Sequence, residues 1–477
     1  MMKKPNLVYI FADQWRRTAV GFSGEEAVIT PNIDQFAAQA SVFEQAVSCT
    51  PICSPHRASL MTGKYSYSTG VYTNCKLGLP IGLPEDEITI SDVLKQNGYH
   101  TAYIGKWHLD CAEQNVEEYP ASGARDWDAY TPPGPKRHSF DHWYSYGTYD
   151  EHLTPHYWQD NEQMININEW SVKHETDQAI QYLQSRQGQD DSFALFLSWN
   201  PPHSPFDLVP QQYKEIYADK EITALPNVKI TDHFLVHTGE LLPGGYETWQ
   251  QSVRDYYAAI TGIDEQFGRI LHALDELGYS DNTVVVLTAD HGELLGAHGM
   301  MAKHSWHEES IGVPFVVRLP EQRQPQRIPY VLNTVDIFPT LLELLNINRS
   351  DALQMDGQSL AAVVKNEDVD TEALGARLAF ISAYPGSLKA IQQFTEQGLN
   401  NLEYGWRGIR SLNYTYVIHK GYFPGQETKK LLYDLREDPY QLSPKEITNV
   451  EESTIAAKLE QHLLEILSSI GDPFDIN

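Results

Sequence analysis

The sequence is short of cysteine. Its four thiols, Cys49, Cys53, Cys75 and Cys111, are too few for a disulfide framework in 477 residues. None are spaced Cys-x-x-Cys, so they give no sign of a structural zinc site. A reducing compartment fits that usage. Also missing is any apolar run near the roughly 18 residues a membrane-spanning helix needs. The opening MMKKPNLVYIFADQW has only a short apolar stretch and no small-residue cleavage site. As written, the chain is therefore expected in the cytoplasm; one trimmed of a leader, from the periplasm or outside the cell, would read the same. Basic residues are scarce, 35 against 64 acidic, for a formal charge of −29. That excludes nucleic acid and acidic membrane surfaces as general partners, but not an anionic substrate in a locally basic pocket. Repeats and low-complexity segments are absent, and 41% hydrophobic with 21% charged residues excludes a disordered chain.

What is present is a series of short apolar runs that end in polar groups. Leu7 to Ala12 ends at Asp13 and Gln14, and Thr101 to Ile104 ends at Gly105, Lys106 and His108. Phe193 to Trp199 ends near His203, and Thr283 to Ala289 ends at Asp290 and His291. Runs apolar on both faces read as central strands of a parallel sheet covered by helices. In such sheets ligands gather beyond the carboxyl ends of the strands. Helical patterns opening at Thr30 and Thr89, and from Val253 to Leu277, alternate with these runs. The expectation is a large doubly wound, mostly parallel α/β domain over residues 1–375. Beyond it, Leu378 to Ala383, Trp406 to Ser411, Thr415 to His419 and Leu431 to Leu435 read as strands without intervening helices, with a closing helix from Ile455 to Ile470. Residues 376–477 are thus expected to form a smaller antiparallel-sheet subdomain carrying one helix. Two long connections remain, 110–170 and 219–248. The first is dense in aromatics and histidines, which suits the wall of a substrate site.

Pro51 to Gly63, PICSPHRASLMTG, sets Cys53 just before a proline-led helix start, where free amides favour negative charge. Taken alone, such a cysteine reads equally as a buried thiol under a helix cap. The strand ends supply the context. Asp13, Gln14, Asp290 and His291 offer carboxylate, amide and imidazole donors of the kind a hard divalent cation takes. Lys106, His108, His203 and Lys303 have the complementary chemistry, able to stabilise an oxyanion and protonate a leaving oxygen.

CSPHR resembles the Cys-x-Pro-x-Arg motif of the formylglycine-dependent sulfatases, in the alkaline-phosphatase-like superfamily. NLVYIFADQ, TPNID, GYHTAYIGKWHL, PPHSPF, TADHGELLGAHG and KHSWHEESIGVPFVVR resemble further segments of that family, in family order. The resemblance implies that a separate formylglycine-generating maturation enzyme oxidises Cys53 and that the hydrated aldehyde is the nucleophile. It implies a Ca²⁺ ion held by Asp13, Gln14, Asp290, His291 and the modified residue 53. Arg57 and Lys106 then match groups that hold the formylglycine and the sulfate. His108 matches the residue that assists breakdown of the sulfated intermediate, and His203 and Lys303 match groups that bind sulfate and help the leaving oxygen depart. Gln14 and His291 stand where many members carry aspartate and asparagine, which lowers the negative charge at the metal, and His56 replaces a small residue. The expected activity is hydrolysis of a sulfate ester, with a sulfated carbohydrate as substrate and Trp143, His304 and His307 near the leaving group. Two rival readings are a phosphonate monoester or phosphodiester hydrolase of the same superfamily, which shares the Asp-Gln and Asp-His pairs, and a non-catalytic sulfoglycan-binding protein.

Overall fold

The computed structural model describes residues 4–320, 322–348 and 353–476. Eight strands form the main sheet: β1 (Asn6–Ala12), β2 (Ser41–Val47), β3 (His100–Lys106), β4 (His142–Tyr146), β5 (Phe193–Trp199), β6 (Thr283–Ala289), β7 (Phe315–Arg318) and β8 (Gln326–Asn333). Their order is β8-β2-β7-β6-β1-β5-β3-β4. Only β7 runs antiparallel to its neighbours, so the sheet is mostly parallel, as the both-faced apolar runs require. Every residue of β1, β5 and β6 is buried. In register, Ala12 of β1 lies beside Ala289 of β6 and Trp199 of β5. Three chain exits therefore open at one edge, and Asp13, Asn200 and Asp290 are the first residues past it.

Helices flank the sheet. Those that matter to the site are α1 (Pro31–Ala37), α2 (Cys53–Thr62), α3 (Ser171–Ser185), α4 (Tyr246–Glu276) and α5 (Thr334–Leu344). α4 packs on α1 and α3, and α2 packs on α5. The buried face of α4 extends further back than its sequence pattern suggested, because Trp249 and Gln250 are also buried.

A second sheet, order β9-β10-β11-β12-β13, is antiparallel throughout: β9 (Leu378–Ala383), β10 (Gly405–Ser411), β11 (Tyr414–Gly421), β12 (Lys429–Asp434) and β13 (Lys445–Glu446). One face, with Phe380, Ile409, Tyr416 and Ile418, packs on Leu459, Leu463 and Leu467 of α7 (Thr454–Ile470). The other, with Ile381, Trp406 and Val417, meets Val47 and Ile311 of the main body. This region carries a second helix, α6 (Leu388–Glu396), where one was expected. Its polar composition, KAIQQFTEQ, hides the stripe that buries Ala390 and Phe394.

Residues 110–170 are not a continuous loop. They supply edge strand β4, paired in register with β3, and a short ribbon of His156–Tyr157 against Ile165–Asn166. Trp143, expected at a substrate subsite, is a core residue instead. It is 2% exposed, stacks on Tyr103 at 5.4 Å and meets Trp107 edge-on at 5.3 Å. The aromatic density of this stretch reflects how an edge strand is sealed, and leaves this indole no surface for a sugar.

Candidate active site

α2 begins at Cys53 itself, with extended Ile52 before it and no side-chain cap. Asn74 takes over part of that task, its Oδ1 accepting from the Ser54 amide at 3.0 Å. All ten residues of α2 are buried, including the Arg57 guanidinium, 1% exposed. A buried cation needs counter-charge. Arg57 Nη2 lies 3.0 Å from Asp13 Oδ2 and 3.4 Å from Asp290 Oδ2, while Nη1 donates to the Lys106 carbonyl and to Ser198 Oγ.

Lys106, the last residue of β3, reaches the same centre. Its ammonium sits 2.8 Å from Asp13 Oδ2, 3.0 Å from Asn200 Oδ1 and 3.9 Å from Cys53 Sγ. Gly105 makes that approach possible: its φ is +100°, and a Cβ there would lie 2.1 Å from the Ser198 carbonyl oxygen. Gln14 and His108 also have positive φ, 67° and 54°, in a region non-glycine residues seldom occupy. The chain is bent sharply where it leaves β1 and β3.

Asp13, Cys53, Asp290 and His291 each present a donor atom, all within 4.8 Å of one another. His291 Nδ1 donates to the Gly292 carbonyl at 3.0 Å, which leaves Nε2 as a lone pair 3.4 Å from Asp13 Oδ1 and from Cys53 Sγ. Burial works to raise the Asp13 carboxyl, but the charges of Lys106 and Arg57 hold it well below the usual range. Asp290 is pushed the other way, up to about 6, by burial and by Asp13. Two buried carboxylates with a lone-pair imidazole match the donor chemistry of a divalent cation, which would relieve the repulsion between them. Gln14 belongs to the same centre: its amide N–H donates to Asp290 Oδ1 at 3.0 Å, and its side chain bridges Glu293, at 2.5 Å, and Lys303.

Cys53 is 1% exposed. Burial and Asp13 work to raise its pKa, but the charges of Lys106 and Lys303 bring it well below the ordinary thiol value. Position 53 is therefore built to carry negative charge. His108 Nε2 donates to the Cys75 carbonyl at 2.9 Å, and burial keeps the ring neutral. On the other side, Lys303 Nζ donates to His203 Nε2 at 2.8 Å, and His203 Nδ1 donates to the Ser204 carbonyl at 2.6 Å.

His304 and His307 lie on the loop after Lys303. They line a cavity of about 300 Å³ with Trp306, Tyr422 and Phe423. His307 stacks on His298 at 3.7 Å and bonds Ser305 Oγ at 2.6 Å. The carbonyl of His304 is held by Trp406 of β10 and by Tyr422, the residue after β11. Sequence reasoning missed Asn200, Ser198, Asn74 and Glu293. Asn200 had a signal, since it directly follows the apolar run Phe193 to Trp199, as Asp13 follows β1. Asn74 and Ser198 had none.

Comparison with known proteins agrees with this geometry. The sulfatase family model matches residues 5–347, and a model for the C-terminal part of N-sulphoglucosamine sulphohydrolase matches residues 296–470. An endo-4-O-sulfatase of Bacteroides thetaiotaomicron is 34% identical, covering 98% of this chain and 93% of its own length. A ulvan-active sulfatase of Formosa agariphila is also 34% identical, covering 99% and 82%. A solved structure described under metabolism of multiple glycosaminoglycans by Bacteroides thetaiotaomicron superposes with a TM-score of 0.82 at 33% identity, over 99% of this chain and 97% of that one. With these polar side chains converging at one sheet edge and near full-length similarity on both counts, the chain belongs to the sulfatase family and is a sulfatase.

Proposed function

We propose that the protein releases inorganic sulfate from a sulfated carbohydrate, with residue 53, converted from cysteine to formylglycine by a separate maturation enzyme, as nucleophile and with one calcium ion. The observation that carries this reading is the position of Cys53 Sγ, 3.4 Å from His291 Nε2 and 3.9 Å from Lys106 Nζ, at the start of a buried helix. The names of the two 34% identical relatives support a glycan substrate.

Asp13, Gln14, Asp290 and His291 would hold the metal, together with residue 53. Bound there, a divalent cation supplies Lewis acidity to the nucleophile and to a sulfuryl oxygen. Formylglycine supplies a hydroxyl that can attack and a second that lets the residue be regenerated, which a thiol cannot. The chain's own groups do the rest. Lys106, pushed above the ordinary lysine value by Asp13 against the pull of burial, stays charged at any working pH and can neutralise sulfuryl oxygens beside residue 53. Arg57 fixes Asp13 and Asp290 in place. His108, neutral and with no partner for Nδ1 among the described residues, can accept a proton beside residue 53. Lys303 holds a proton directed at His203 Nε2, so the pair can deliver one to a departing alkoxide.

Two measurements test the proposal. Mass spectrometry of the peptide containing residue 53, after co-expression with a maturing enzyme, should show conversion of the cysteine to the aldehyde. A panel of defined sulfated oligosaccharides should then release sulfate faster than an aryl phosphonate monoester releases phosphonate. Intact cysteine in a protein that only binds sulfated sugar, or a strong phosphonate preference, would overturn the reading.

A further inference from the structure

Beside the candidate active site stands a cation, Lys76, that has no counter-ion among the described residues. Lys76 follows Asn74 and Cys75, which hold the Ser54 amide and His108 Nε2. Its two predecessors thus tie it to the start of α2. The Lys76 ammonium lies 5.3 Å from the ring centroid of Trp127, an indole that is 43% exposed. Among the described residues no carboxylate forms an ion pair with it, in a chain with an excess of 29 negative charges. Burial alone shifts its pKa, down to about 8. A partly desolvated ammonium of this kind is stabilised when an anion reaches it.

Two histidines lie near enough to both Lys76 and Lys303 to feel their charges. The rings of His237 and His304 meet edge-to-face at 4.6 Å, and both are lowered first by burial and then by charges that include Lys76 and Lys303. His237 falls to about 3, so neither ring adds positive charge and both serve as neutral hydrogen-bonding groups. Among the described residues, His304 is 1% exposed with no partner for either ring nitrogen, and His237 Nδ1 is also unpartnered. Buried polar atoms without partners call for a ligand or water. Both residues are among those lining the 300 Å³ cavity, and the His304 amide donates to the Pro51 carbonyl at 3.0 Å, two residues before Cys53.

We propose that Lys76, Trp127, His237 and His304 form a second anion-recognising subsite, which takes a carboxylate or a second sulfate on the sugar beyond the scissile ester. Lys76 supplies the charge, Trp127 an exposed ring face for the pyranose, and the two neutral histidines the hydrogen bonds. The inference rests on the carbohydrate reading above and narrows it to acidic saccharides.

The test compares the wild type, Lys76→Met, Lys76→Arg and Trp127→Ala on three substrates. These are a neutral disaccharide carrying one sulfate, the same disaccharide with a uronate, and the same with a second sulfate. Lys76→Met is expected to raise KM on one of the acidic substrates at least tenfold more than on the neutral one, and Lys76→Arg to restore most of the difference. The substrate with the larger loss identifies the anion. A uniform change across all three substrates, or none on either acidic one, overturns the subsite. Calorimetry of the acidic disaccharides with the full-length Cys53→Ser protein keeps the two readings apart. If no ester is turned over but binding still depends on Lys76, the hydrolase reading fails and the subsite stands. Binding indifferent to Lys76 removes the subsite, whatever the turnover.

Discussion

Lys303 Nζ and His203 Nε2 stand 2.8 Å apart, joining the loop after β5 to the loop after β6 through one shared proton. A proton so placed matters in proportion to how poor the leaving group is. A sugar alkoxide needs it, whereas a nitrophenolate leaves without help. Lys303→Ala is therefore expected to lower kcat on a sugar sulfate by about 100-fold or more, and on p-nitrophenyl sulfate by at least tenfold less. Steady-state kinetics on the two esters decides the matter. Equal losses would remove the pair from leaving-group chemistry.

Arg57 is the buried charge that lets Asp13 and Asp290 lie side by side. Arg57→Ala should destabilise the protein by about 3–5 kcal/mol, because buried Asp290 then loses its guanidinium and Asp13 keeps only Lys106 as a cationic partner. Calcium should recover part of that loss. In the wild type, a chelator should lower Tm, by an amount equivalent to about 2.7 kcal/mol when compared with metal at a hundred times its Kd. Denaturant unfolding with calcium and with chelator measures both. A midpoint indifferent to metal would count against the ligand set.

Trp143 closes the aromatic layer between β3 and β4. Trp143→Ala should cost about 3–5 kcal/mol through the cavity it leaves. Soluble variant protein should show the same ratio of sugar-sulfate to aryl-sulfate activity as the wild type. A selective loss on the sugar would return this indole to the substrate site.

Glu308 is gripped by Arg410, at 2.9 Å, and by Arg17, at 2.7 Å. Burial would raise its pKa, but the two guanidiniums bring it down to about 2. A depressed carboxylate adds stability above its unfolded value near 4.5 and loses it as pH falls toward 2. The whole effect is of order 3 kcal/mol. Glu308→Gln should therefore be less stable than the wild type at pH 7, and the gap should close between pH 4.5 and 2. Urea midpoints across that range check it; a gap independent of pH would refute the linkage.

Much of the site was legible because it hangs on strand ends. A strand apolar on both faces has to be central, and a polar residue directly after it has to sit at the sheet's carboxyl edge, so Asp13, Lys106 and Asp290 could be placed from spacing. The C-terminal strands β9 to β12 were legible for a similar reason, each being short and bounded by turn residues. Edge strands were harder. β4 is written HWYSY, and its aromatic character reads equally as a ligand wall or a sealed margin, which only the neighbouring β3 decides. The Lys76–Trp127 contact joins residues 51 positions apart in irregular chain, where no periodicity announces it. Asn74 acts through a single hydrogen bond to a backbone amide and leaves no pattern at all.

Helix α2 has no exposed residue. On the proposed reading, another enzyme must grip residues 53–57 and oxidise the first of them, and the folded protein offers it nothing to grip. Conversion then has to happen while the segment is still loose, on a chain that has been made but has not closed. The active fraction of any preparation becomes a record of a race between two clocks, folding and oxidation. Slowing the first, by lower temperature or by a destabilised β1, should yield more competent enzyme from the same gene.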